Sequence, residues 1–205
     1  MLASLALFGA TRTVRDGVGD ADAVGPDSGC PDLASLRTPA VTAGFEPHSI
    51  DGFWYEQAYR DPAQVGSSCQ TLNSTASSDG SFNIAFRVLY GSIPFTIHEL
   101  YTPTGKGSGL FSKRAEEPGG KLLELSTAIV ATEPSLIIFS CLKEPLLPAV
   151  TEIMIATRDK QVSDAVIEAA LALAAKQGVP HASNSSTKRA NHSGCDRLVD
   201  DVVEW

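Results

Sequence analysis

Four cysteines, four histidines and one glycine-rich run are the residues of this chain with the types to do chemistry. Metal chelation needs ligands gathered at short spacing. Here no Cys-x-x-Cys pair occurs, and no His stands at ligand spacing from a Cys, so no metal site is expected. His48, His98, His181 and His192 are dispersed, with no Ser/His/Asp order tied to a nucleophile elbow. His98, between Ile97 and Glu99 in an alternating run, reads as a rim or core residue rather than a haem ligand. Gly105-x-Gly107-x-Gly109 lacks the following helix that a phosphate loop requires and reads as a hairpin turn. No catalytic residue and no cofactor are therefore expected. Cys30, Cys69, Cys141 and Cys195 allow three disulfide pairings, among which the spacing does not choose. Asn73, Asn184 and Asn191 each open an Asn-x-Ser/Thr glycosylation pattern without Pro.

A length of 205 residues with 43% hydrophobic content suits one domain with a sizeable core. The net charge of -8 and the absence of a Lys/Arg run argue against nucleic acid as a partner. Acidity of this kind favours solubility. No stretch reaches the roughly eighteen uninterrupted apolar residues of a spanning helix, so no membrane span is expected. Met1 to Ala10 is apolar and small but carries no preceding Lys or Arg and no clean Ala-x-Ala site. It reads either as a shortened signal or as an ordinary flexible terminus.

Residues 11–29 mix Gly, Asp and Pro and bury too little to offset ordering entropy, which predicts a flexible leader. From Cys30 to Pro47 the Pro-punctuated chain is expected to be extended. Short strands then follow over Phe53–Tyr59, Cys69–Ser74, Phe82–Tyr90, Ile93–Tyr101, Gly109–Lys113, Lys121–Ala131, Leu136–Cys141 and Glu152–Thr157. Phe82-x-Ile84-x-Phe86-x-Val88-x-Tyr90 is the cleanest period-two run, a strand with one buried face. Residues 105–107 and 117–120 read as turns. One helix closes the pattern: Ser163 is placed to cap it, Asp164 suits its positive end, and Gly178 stops it. Val166, Ile167, Ala170, Leu171 and Ala174 share one stripe, so the helix packs against a surface.

Gly52-Phe53-Trp54-Tyr55-Glu56 before the strands and Ile155-Ala156-Thr157-Arg158 after them, with the cysteines in this order, resemble the lipocalins. The closest likeness is to the apolipoprotein D-like branch, over about Cys30 to Leu198. The family's middle motif, Thr-Asp-Tyr, is here Thr132-Glu133-Pro134. The resemblance implies an all-β fold, an eight-stranded antiparallel up-and-down barrel with one C-terminal α-helix packed outside. It implies a leader at 1–29, the barrel domain with its tied tail at 30–199, and a free tail at 200–205. It also implies pairings Cys30–Cys141 and Cys69–Cys195. Each would tie a terminal segment to the wall and close a long loop, contributing about 4–5 kcal/mol in the chain-entropy model. Such bonds persist in an oxidising compartment, hence a secreted or lumenal protein. Gly52, Trp54 and Arg158 take structural roles, with Arg158 stacking over Trp54 at the closed end.

Those pairings fix strand faces, because successive side chains point to opposite sides. With Cys141 outward, Leu136, Ile138 and Ser140 point inward. With Cys69 outward, Asn73 also faces solvent, while Gln70 and Leu72 point inward. Phe82, Ile84, Phe86, Val88 and Tyr90 form the bulky inward face of their strand, joined by Phe95 and Ile97 from the next. These twelve residues are the expected ligand contacts. The family's enzymes offer little support for catalysis here. Violaxanthin de-epoxidase carries a Cys-rich region before its barrel, and a prostaglandin isomerase needs a free thiol in its cavity. The expectation is a monomeric, non-enzymatic carrier of one small hydrophobic ligand: a fatty acid, sterol, retinoid, carotenoid or tetrapyrrole. The competing reading is an interaction module acting through rim loops such as Pro62–Ser68 or Thr102–Gly109.

Overall fold

Along Phe82 to Val88 the even-numbered side chains are buried and the intervening Asn83, Ala85 and Arg87 are half-exposed. That alternation is the period of a pleated strand with one face on a core, and it repeats around a closed wall. The computed structural model describes residues 29–116, 123–142 and 149–195. The strands are β1 (Gly52–Arg60), β2 (Ser67–Ala76), β3 (Phe82–Tyr90), β4 (Ile93–Pro103) and β5 (Leu110–Ala115). They continue with β6 (Leu125–Ala131), β7 (Leu136–Leu142) and β8 (Val150–Thr157). Each pairs antiparallel with the next, and β1 pairs with both β2 and β8, which closes the barrel. A two-residue strand β9 (Lys188–Arg189), unforeseen in the sequence, adds to β1 beyond the turns that follow the helix. Residues 1–28 of the expected leader, the turn at 117–120, the strand start at Lys121 and the tail from 196 onward lie outside the described residues.

The wall separates two apolar clusters. Inside lie Trp54, Leu72, Phe82, Ile84, Phe86, Val88, Tyr101, Phe111, Ile129, Leu136, Ile138 and Met154. Outside, Val130, Ile137, Phe139, Ile153 and Ile155 meet the helix α2 (Asp164–Lys176) through Ile167, Ala170, Leu171 and Ala174. Alanines at the contact let the helix come close to the sheet. Ser163 occupies the N-cap position, but its side chain makes no capping bond; its carbonyl accepts from Val166 instead.

The segment before β1 is not extended, as its prolines suggested. It forms a 3-10 turn at Leu33–Leu36, a short helix α1 (Pro39–Gly44) and a second 3-10 turn at Pro47–Ile50. Pro39 and Pro47 stand in the first helical turns, where a missing N–H does no harm and the fixed φ helps. This segment lies across one end of the barrel, with Val41 and Phe45 reaching the inner cluster. Gly109 makes room for it: a Cβ there would lie 2.5 Å from Val41, and its φ is +73°. Cys30–Cys141 and Cys69–Cys195 are bonded, the pairing implied by the resemblance. The first fixes the leading segment, and the second fixes the segment after α2, where Cys69 N–H also donates to the Asn191 carbonyl at 2.9 Å.

Candidate functional site: the barrel interior

The two ends of the barrel differ because an up-and-down meander sends alternate loops to opposite ends. At the closed end Trp54 is buried and donates from Nε1 to the Ile50 carbonyl at 2.8 Å. The Arg158 guanidinium lies 3.6 Å from the Trp54 ring centroid and donates to the Phe53 carbonyl at 2.9 Å. Gly52, with φ +87°, opens β1 beneath that guanidinium. Phe45, Phe82, Tyr101 and Phe111 then fill the lower barrel, with Phe82 and Tyr101 stacked at 4.4 Å. The residue 102–109 connection belongs to this closed end and packs on Arg37 and Val41. It is therefore no part of the open rim, contrary to the sequence expectation. Of the two segments expected at the rim, Pro62–Ser68 is the one at the end opposite Trp54, where it joins β1 to β2.

Above the aromatic stack is a cavity of about 40 Å³. Phe86, Tyr90, Ile97, Ile138 and Met154 form its apolar walls. Its polar lining is richer than expected: Glu56, Asp61, Gln64, Glu99, Tyr101, Lys113, Ser140 and Glu152. Lys113 Nζ sits 2.9 Å from Glu99 Oε1 and 2.7 Å from Glu152 Oε2. Tyr101 donates to Glu99 Oε2 at 2.8 Å. Burial alone would lower the Lys113 ammonium, but Glu152 and Glu99 outweigh it and hold it well above the usual lysine range. Burial raises Glu152, with Lys113 opposing. Burial also raises Glu56 well above the ordinary carboxylate range, with the hydrogen bond from Gln64 opposing.

Glu56 belongs to a second chain of polar groups. Gln64 Nε2 reaches Glu56 Oε1 at 3.4 Å, Gln70 Nε2 reaches Gln64 Oε1 at 3.5 Å, and Gln70 also donates to Ser67 Oγ at 2.8 Å. Glu56 is fully buried, and its Oε2 has no hydrogen-bond partner among the described residues. The Gln70 Oε1 atom is likewise buried and unpartnered.

Of the residues expected to contact a ligand, Phe86, Tyr90, Ile97, Ile138 and Ser140 line this cavity. Gln70 lies behind it through Gln64. Leu72, Phe82, Ile84, Val88 and Leu136 are inward but packed into the core, Phe82 as part of the aromatic stack. Phe95 pairs with Val88 on the same face, yet it is 48% exposed at the mouth, edge-on to Tyr90 at 6.5 Å. The Tyr90 hydroxyl is spent on the Ala63 carbonyl at 2.6 Å. Ser140 shares a hydrogen bond with Thr127 at 2.9 Å.

Glu56, Gln64, Glu99, Lys113 and Glu152 escaped the sequence reading. The signal for four of them was parity: Glu56 is two residues from Trp54, Glu99 two from Ile97, Lys113 two from Phe111, and Glu152 pairs with Ser140. Asn73, Asn184 and Asn191 are all exposed. Among the described residues no helix is long and apolar enough to cross a membrane.

No family model matches the chain, and no curated protein matches it. Solved structures do. Apocrustacyanin C1 superposes with a TM-score of 0.61 at 17% identity, covering 82% of this chain and 90% of that one. Apocrustacyanin C2 gives 0.60 at 16%, covering 80% and 87%. Lobster apocrustacyanin A1 gives 0.57 at 16%, covering 70% and 78%. At these identities the likeness is one of fold: the chain has the lipocalin-like barrel of the crustacyanins, closed at one end and backed by an external helix.

Proposed function

We propose that this protein is a lipocalin of the apolipoprotein D-like branch, a non-enzymatic carrier of one small hydrophobic molecule in an oxidising, extracytoplasmic space. The supporting observation is the open end of the barrel. Val65, Ile93, Phe95, Leu123 and Val150 are its five exposed large hydrophobic side chains among the described residues, and all belong to the strand ends or connections at that one end. An apolar mouth above a cavity that Phe86, Ile97, Ile138 and Met154 wall on its apolar side gives a hydrophobic molecule a path from water to an interior that also carries polar groups. Each Å² of apolar ligand surface removed from water contributes roughly 25 cal/mol.

The cavity of about 40 Å³ is small beside ligand pockets of about 300–1,000 Å³. A ligand therefore enters by displacing side chains at the mouth. Met154, deeper on the cavity wall, is suited to move aside as well, being unbranched and flexible. The two disulfides and the exposed Asn73, Asn184 and Asn191 support the extracytoplasmic and glycosylated parts of the reading. The small cavity also supports the second reading, an interaction module whose filled barrel presents the same open rim to a protein.

Native mass spectrometry of protein purified from its own source separates the two. The carrier reading expects one noncovalent small molecule per chain. A bare chain that takes up no lipid or pigment below about 100 μM, an affinity of only about 5 kcal/mol, overturns it in favour of the interaction module.

A further inference from the structure

We infer that the inner end of this cavity recognises an uncharged hydroxyl on the ligand through Glu56 and turns away a carboxylate. The inference rests on the carrier reading and narrows its ligand class.

Glu56 is fully buried, lines the cavity, and leaves Oε2 without a partner among the described residues. Its other oxygen takes only a long bond from Gln64. Of the buried side-chain polar atoms without a partner among the described residues, Glu56 Oε2 is the one whose residue lines the cavity, and a ligand group is one way to account for it. A hydroxyl satisfies Oε2 in either protonation state. It donates to a carboxylate, and it accepts from a carboxyl that has kept its proton, the form that burial favours here.

The surroundings exclude the alternative head group. Among the described residues, Glu56, Asp61, Glu99 and Glu152 line the cavity against a single lysine. That lysine is already divided between Glu99 and Glu152, at 2.9 and 2.7 Å. No arginine lines the cavity among the described residues. A carboxylate brought to Glu56 would lie among Asp61, Glu99 and Glu152 and, among the described residues, find no uncommitted cation, an arrangement that low dielectric makes strongly unfavourable. Fatty acids and carboxylated tetrapyrroles thus leave the candidate set, while sterols and hydroxylated isoprenoids remain.

Retinol and retinoic acid test this, because they share a hydrocarbon body and differ at the polar end. Titrations by retinoid fluorescence at neutral pH, with the headless hydrocarbon diphenylhexatriene alongside, are expected to show retinol binding about tenfold or more tightly than retinoic acid. Glu56→Leu is expected to shrink that preference to about threefold or less. Glu56→Gln, whose amide both donates and accepts, is expected to keep it. Retinoic acid binding as well as retinol in the wild-type protein overturns the inference, as does a preference unchanged in Glu56→Leu. If diphenylhexatriene binds without any head-group preference, the inference alone falls. If none of the three binds, the carrier reading falls with it.

Discussion

Lys113 on β5 and Glu152 on β8 meet inside the barrel at 2.7 Å, although β6 and β7 separate their strands in the wall. Glu99 on β4 completes the bridge at 2.9 Å. Three strands are thus tied through the interior by one ammonium, in the half of the barrel where the aromatic stack no longer fills the space. The arrangement places charge where a packed core would have placed another apolar layer.

Removing one member of a buried ion network leaves its partners uncompensated. Lys113→Met is expected to destabilise the fold by about 3–5 kcal/mol, read as a shift in the urea midpoint with an unchanged slope. Adding Glu99→Gln and Glu152→Gln to it is expected to recover most of that loss. A single substitution costing under about 1 kcal/mol would show the network to be solvated and of little energetic consequence.

Glu56 makes stability depend on pH in a direction set by its raised pKa. Above the ordinary glutamate value of 4.5 the unfolded chain releases a proton that the folded carboxyl retains. The folded state then binds more protons, and stability falls as pH rises through that window. Glu56→Gln removes this contribution, so its stability relative to the wild type is expected to increase from acid toward neutral pH. Denaturant titrations of both proteins across that range check it. A gap independent of pH would show that Glu56 titrates alike in the folded and unfolded chain and would contradict this.

The barrel was legible because its strands carry period-two patterns and its turns carry Gly, Asp and Pro. The site was legible only in its apolar half. Phe86, Ile97 and Ile138 announce an inward face by type, whereas Glu56, Glu99 and Lys113 look like solvent-facing residues until they are counted from Trp54, Ile97 and Phe111. A bulge at Gln57 adds to this, since β1 skips a residue between Glu56 and Ala58 in its pairing with β8. Cavity size was beyond reach, because it depends on how Phe82, Tyr101 and Phe111 stack with Phe45, which comes from a segment read as extended.

Arg158 holds the closed end through a ring contact and a backbone hydrogen bond. Arg158→Ala is expected to lower stability by about 1–2 kcal/mol without altering ligand binding, because the aromatic stack separates it from the cavity. Arg158→Lys should recover only part, since an ammonium lacks the planar face that lies over Trp54. Equal affinity for retinol in all three proteins, with unequal urea midpoints, is the expected pattern.

A retinol titration of the wild-type protein and of Ile138→Trp tests the central claim most directly. Ile138 lines the cavity, and a tryptophan there fills it. The carrier account predicts saturable one-to-one binding at about micromolar affinity in the wild type, and its loss in the filled variant while circular dichroism stays unchanged. No binding by the wild type, or binding that Ile138→Trp leaves intact, would contradict it and assign the exposed rim, rather than the interior, to the function.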